Sequence, residues 1–177
     1  MKNDSIASNK NQIQIFLCGG TIDKSYNPAK EIFECQETHI NEMVERARIP
    51  DLEIKIKQLF LKDSLDMTDS DKEILAKACG NTDAKKIIII HGTSKMVESA
   101  RYIVDKVKEK IKDKTIILFG ALYPYEHRAT EAMFNFGATL IAVQLLRPNV
   151  YIVMNGRVFI YDRVKKNVEE AHFVEKD

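Results

Sequence analysis

The sequence has no surplus of either charge. Lys and Arg number 27 and Asp and Glu 26, a formal net charge of +1. Broad electrostatic capture of nucleic acid needs many uncompensated basic residues, so no nucleic-acid partner is expected. Cysteine is scarce and unpaired: Cys18, Cys35 and Cys79 are an odd number without metal-type spacing. They read as reduced thiols of a cytoplasmic protein. Apolar runs such as Ile87 to Ile90 are strand-sized. None approaches the ~18 residues of a membrane span, so no membrane association is expected. The polar segment Met1 to Gln12 lacks the apolar centre of a signal peptide and reads as a flexible arm. Repeats, low-complexity tracts and internal linkers are absent. Residues 13–177 therefore form one expected domain, long enough to bury roughly 70% of the surface its unfolded chain exposes.

Several site signatures are also missing. The first glycine cluster lacks the Gly-x-Gly-x-x-Gly spacing of a dinucleotide fingerprint. No Gly-Lys-Ser/Thr marks a P-loop, and no Gly-x-Ser-x-Gly forms a nucleophile elbow. Histidines and carboxylates show no metal-ligand spacing, so no metal or other cofactor is expected. His39, His127 and His172 are scattered and read as solvated or capping residues, and His91 as a buried structural one.

Apolar runs alternate with amphipathic stretches. Ile13–Cys18, Leu52–Leu61, Ile87–Ile90 and Thr115–Phe119 read as strands. Asp69 or Ser70 is placed to cap a helix running through Cys79, ended by Gly80-Asn81. Ser94–Lys112 carries an apolar helical stripe. Thr130–Gly137 reads as a short helix, and Ala138–Leu145 fits either helix or strand. Tyr151–Met154 and Val158–Tyr161 flank Asn155-Gly156, a strong hairpin signal. The alternation predicts an α/β fold with right-handed crossovers. Its architecture is a doubly wound, mostly parallel sheet between helix layers, a three-layer sandwich of flavodoxin or Rossmann type, with a C-terminal β-hairpin.

In such sheets ligands bind beyond the carboxyl ends of the strands. Three loops leave those ends: Cys18-Gly19-Gly20-Thr21-Ile22-Asp23, His91-Gly92-Thr93-Ser94-Lys95 and Gly120-Ala121-Leu122-Tyr123-Pro124. Each alone is also what a tight strand-to-helix turn looks like. Together, Gly19-Gly20-Thr21-Ile22, His91-Gly92-Thr93 and Gly120-Ala121 with Pro124 resemble the bacterial L-asparaginase/glutaminase family. Asp63-Ser64-Leu65-Asp66-Met67-Thr68, Phe134-Asn135 and Val153-Met154-Asn155-Gly156 support the likeness. The resemblance runs from about Ile13 to Phe173 and covers the family's amino-terminal domain, as in a short single-domain subgroup.

The resemblance implies amide hydrolysis through a threonine acyl-enzyme. Thr21 would be the nucleophile and Tyr26, on a mobile loop over Thr21–Pro28, its activating partner. A hydroxyl is a weak nucleophile and needs one. Thr93 and Lys166 would be the second threonine and its lysine. Gly20, Ser64, Gly92, Ser94 and Lys95 would contact the substrate, Ser64 at its carboxylate. The family pattern continues His-Gly-Thr with Asp-Thr, where this chain has Ser94-Lys95. The resemblance gives that aspartate the grip on a substrate α-ammonium, and serine carries no charge. Losing one partner of such a pair costs about 2–5 kcal/mol. A small-molecule amide or carboxylate is therefore the expected ligand, with anionic ligands or those lacking an α-ammonium preferred. The alternative is a catalytically inactive small-molecule-binding module on the same fold. A homo-oligomer is expected, with Tyr123, Tyr125, Phe134 and Phe136 as candidate contacts.

Overall fold

A computed structural model describes residues 12–176. Residues 1–11 of the expected arm lie outside them. Gln12 is already the first residue of a strand and donates its side-chain amide to Glu53 at 3.0 Å.

Six strands form the central sheet: β1 Gln12–Leu17, β4 Glu53–Gln58, β5 Lys86–Ile90, β6 Thr115–Phe119, β7 Asn149–Met154 and β8 Arg157–Ile160. Their order is β4-β1-β5-β6-β7-β8, parallel except for the final pair. β1, β5 and β6 are apolar on both faces because helices cover both. α2 (Asp69–Asn81) and α3 (Met96–Ile111) pack on one face, α1 (Ile40–Ala47) and α4 (Ala132–Leu145) on the other. β4 alternates instead, as an edge strand should, with Ile54 and Ile56 turned inward between lysines. The hairpin at Asn155-Gly156 forms as expected, with φ of +52° and +75° at its two turn residues.

Four local features differ from the sequence expectations. The cap of α2 is Thr68, whose hydroxyl accepts from the Asp71 amide while the Asp71 carboxylate accepts from Thr68 N. This reciprocal box outcompetes the acids that follow it. The helix expected to stop at Gly137 continues to Leu145, because burial of Phe136, Leu140 and Val143 overrides one glycine. Thr21–Pro28 is not a mobile loop. Lys24–Asn27 is β2, paired antiparallel with β3, Ile32–Cys35. Asn27 Oδ1 accepts from the amides of Ala29 and Lys30, so Asn27-Pro28 builds the hairpin's turn. A second unexpected hairpin follows β8, with β9 Val164–Asn167 and β10 His172–Glu175. It packs Val164 and Phe173 onto the face that carries α2 and α3.

No helix among the described residues is long and apolar enough to cross a membrane.

Candidate functional site

The chain leaves β1 for β4 on one side and crosses back to β5 on the other. The strand order therefore reverses between β1 and β5, and a crevice opens at their carboxyl ends. The first two glycine loops sit there. Gly20 has φ +102° and ψ −174°, and a Cβ on it would lie 2.4 Å from Gly92 N. A Cβ on Gly92 would lie 2.6 Å from Ser64 Oγ, and one on Gly19 2.5 Å from Lys62 N. Bare backbone thus lets three segments stack: Gly19–Thr21, Lys62–Ser64 and His91–Thr93. The third loop joins behind them, since a Cβ on Gly120 would lie 2.3 Å from His91 O.

Thr21 begins a single 3₁₀ turn, Thr21–Asp23, and is half-buried. The turn is anchored by buried Asp23, whose Oδ1 accepts from His39 N at 3.2 Å. Burial pushes that carboxyl above its ordinary range. Thr93 is buried, and its Oγ1 accepts from Lys166 Nζ at 2.7 Å. Lys166 comes from β9, which no sequence signal placed here. Burial pulls the Lys166 ammonium below its ordinary range, against partial opposition from Asp63. Asp63 is the feature sequence reasoning left without a role. It caps the turn Ser64–Asp66 through Leu65 N and pairs with Lys24. Burial works against its charge, but Leu65 N–H and the Lys24 ammonium outweigh this and hold its carboxyl low. Its one legible sign is its place just ahead of Ser64, where an N-cap acid belongs.

His91 is fully buried, with Nδ1 on Gly92 O at 2.8 Å. It braces the loop from behind, as its sequence position suggests. Burial lowers its pKa to about 4, with the Gly92 carbonyl opposing the shift. Glu131 accepts from Leu122 N at 2.5 Å and buried Asn135 bridges Gly120 O and Asn155 N, so both hold the third loop in place.

The remaining candidates stand apart from this cluster. Tyr26 is 51% exposed on β2, its ring against Phe33 at 5.4 Å between centroids. No hydrogen bond joins it to Thr21 among the described residues. Ser94 is exposed and lines a cavity of about 820 Å³ between α3 and the β9–β10 hairpin. Lys95 lies outside that lining and acts electrostatically on Asp69. Lys72 and Glu98 in the wall pair with each other. Arg101, Lys165, Lys166 and Lys176 then face the single carboxylate of Asp105. Of the aromatic residues expected at a subunit contact, Tyr125 and Phe136 are core, whereas Tyr123 and Phe134 are exposed. Among the described residues no group of three or more His, Cys, Asp or Glu could hold a metal ion.

Fold and site together define a doubly wound α/β protein with a threonine–lysine pair at its topological switch point. Residues 12–172 match the family described as Asparaginase, N-terminal. The chain belongs to the asparaginase family, by that domain. The fold also superposes on solved structures titled L-asparaginases. The thermostable enzyme of Thermococcus kodakarensis gives a TM-score of 0.80 at 17% identity, over 93% of this chain and 51% of that one. L-asparaginase I of Vibrio cholerae O1 biovar eltor str. N16961 gives 0.79 at 20%, over 94% and 52%. A probable cytoplasmic L-asparaginase of Campylobacter jejuni gives 0.73 at 22%, over 88% and 48%. The chain thus spans about half the length of the solved structures it resembles. No curated protein matches it significantly.

Proposed function

We propose that this chain is an asparaginase-type amidohydrolase that releases ammonia from a side-chain amide. One observation carries the reading: the buried hydrogen bond between Thr93 Oγ1 and Lys166 Nζ, set against the loop that bears Thr21. Thr21 Oγ attacks the amide carbon, the C–N bond breaks, and ammonia leaves with the hydroxyl's proton. Water then cleaves the acyl ester, releasing the acid and restoring Thr21. A lysine whose charge burial disfavours supplies the base through Thr93. Backbone N–H groups around Gly92 and Thr93 polarise the carbonyl. Ser64, buried against Gly92, and Gly20 shape the substrate's seat. Tyr26 serves as Thr21's partner only if the β2–β3 hairpin closes over the site when substrate binds. Ser94 and the cationic wall beside it favour an amide with an anionic extension or without an α-ammonium. The enzyme works in the cytoplasm.

A specific feature favours a second reading, an inactive binding module: Ser94 leaves the Thr93–Lys166 pair without an adjoining carboxylate on its own loop. Ammonia release from asparagine and glutamine by the native chain, Thr21→Ala and Ser94→Asp separates the two. Activity in the native chain that Thr21→Ala abolishes supports the enzyme. A silent native chain with activity gained in Ser94→Asp supports the binding module.

A further inference from the structure

Both faces of the six-stranded sheet need cover. Six strands at about 4.8 Å span roughly 29 Å, and packed helices supply about 8–10 Å each. α2, α3 and the β9–β10 hairpin complete one layer. Only α1 and α4 lie on the other, with α4 resting on β5, β6 and β7. A strip about one helix wide is left beside α4, above β7 and β8. An apolar groove of about 640 Å³ occupies it.

The groove's walls are unusual for a surface in contact with water. Phe134, Ile141 and Leu145 follow one another along α4 and are 61%, 60% and 77% exposed. Val158 on β8 is 44% exposed beneath them. Residues 132–146 contain no charged side chain. Gly137 sits in the middle of this face, and a Cβ there would meet nothing within 4 Å. An interior helical glycine costs about 1 kcal/mol relative to alanine. Nothing inside the chain requires it, whereas close approach of another backbone would.

We infer that this face of α4 docks onto the same face of a second copy of the chain about a two-fold axis. A two-fold needs a surface that complements itself. Here a valley, Gly137-Ala138, lies between two ridges, Phe134 and Ile141. Centring the axis on the valley sets Phe134 of one copy against Ile141 of the other, and Gly137 against Ala138. The second α4 fills the strip that the first leaves open. The absence of charge suits an identical surface, because any charged patch would meet its own sign across the axis.

The test is sedimentation velocity of the full chain from 1 to 100 µM, with circular dichroism to check folding. The native chain sediments as a dimer. Ile141→Asp raises the dissociation constant at least about 30-fold, as a central interface residue should. Ala138→Cys, lying close to the axis, forms an intermolecular disulfide on mild oxidation, whereas Glu109→Cys on the far face of the molecule does not. A native monomer at 100 µM overturns the inference, whatever else that face binds. A dimer unaffected by Ile141→Asp, with no cross-link through Ala138→Cys, overturns it as well.

Discussion

Replacing Gly20 with alanine should damage the protein more than its one added methyl suggests. Two costs arise. The backbone at φ +102°, ψ −174° is one that L side chains rarely adopt, at about 1–3 kcal/mol. The new Cβ would also sit 2.4 Å and 2.5 Å from Gly92 N and Cα. Both contacts are backbone, so a side-chain rotation gives no relief, and the two loops must part by about 1 Å. Overpacking of this kind costs about 1–3 kcal/mol. A sum near 4 kcal/mol is a large share of the ordinary 5–15 kcal/mol of domain stability. At about 2–4 °C per kcal/mol for this size, Tm should fall by roughly 8–16 °C. Any amide hydrolysis should fall about 100-fold further, the price of a 1 Å misplacement at a reacting centre. Thermal unfolding followed by circular dichroism reads the first effect. Gly80→Ala is the control: its Cβ meets only the flexible Lys110 and Val107 side chains, inside α2, and should leave Tm unchanged or higher. A Gly20→Ala variant that melts within about 2 °C of the native chain would refute the stacked-loop account.

Three further outcomes are expected. His91 has a folded-state pKa of about 4 against an ordinary 6.5, so the folded chain holds it neutral. Its contribution, about 3 kcal/mol, is complete above pH 6.5 and is lost as pH falls toward 4. Urea unfolding at pH 7.5, 5.5 and 4 should show this decline, and His91→Asn should flatten it. Thr68→Ala removes half of the capping box on α2 and should cost about 1–2 kcal/mol by the same method. Lys114 is buried, with Nζ donating to the carbonyls of Cys79 and Thr82 at the end of α2. Lys114→Met strands those carbonyls and should cost about 1–3 kcal/mol.

Much of this fold is written in local pattern. The β-branched run Ile87–Ile90 announces a strand covered on both sides, and Asn155-Gly156 a two-residue turn. The glycines of the three loops mark the strand ends where the site lies. What stayed hidden depends on contacts distant in sequence. Lys166 reads as a surface lysine in a basic stretch until the β9–β10 hairpin carries it across 73 residues to Thr93. That hairpin is short, and its only apolar anchors are Val164 and Phe173. Tyr26 misled in the opposite direction. Asn27-Pro28 breaks regular structure, but here the break is the turn of a hairpin. Leu140 and Val143 show the same limit, since periodicity cannot tell a buried helix from a buried strand until its neighbours are in place.

The account rests on Lys166 serving as the base of an amide-cleaving site, and its pH–rate profile tests this most directly. Ammonia release from asparagine and glutamine would be followed from pH 6 to 10 for the native chain and Lys166→Gln. The account predicts a native rate that climbs with pH as the lysine loses its proton, with that limb displaced below the ordinary lysine range. It predicts a loss of about 100- to 10,000-fold, and of the limb itself, in the variant. A variant that keeps the native rate and profile would contradict the account.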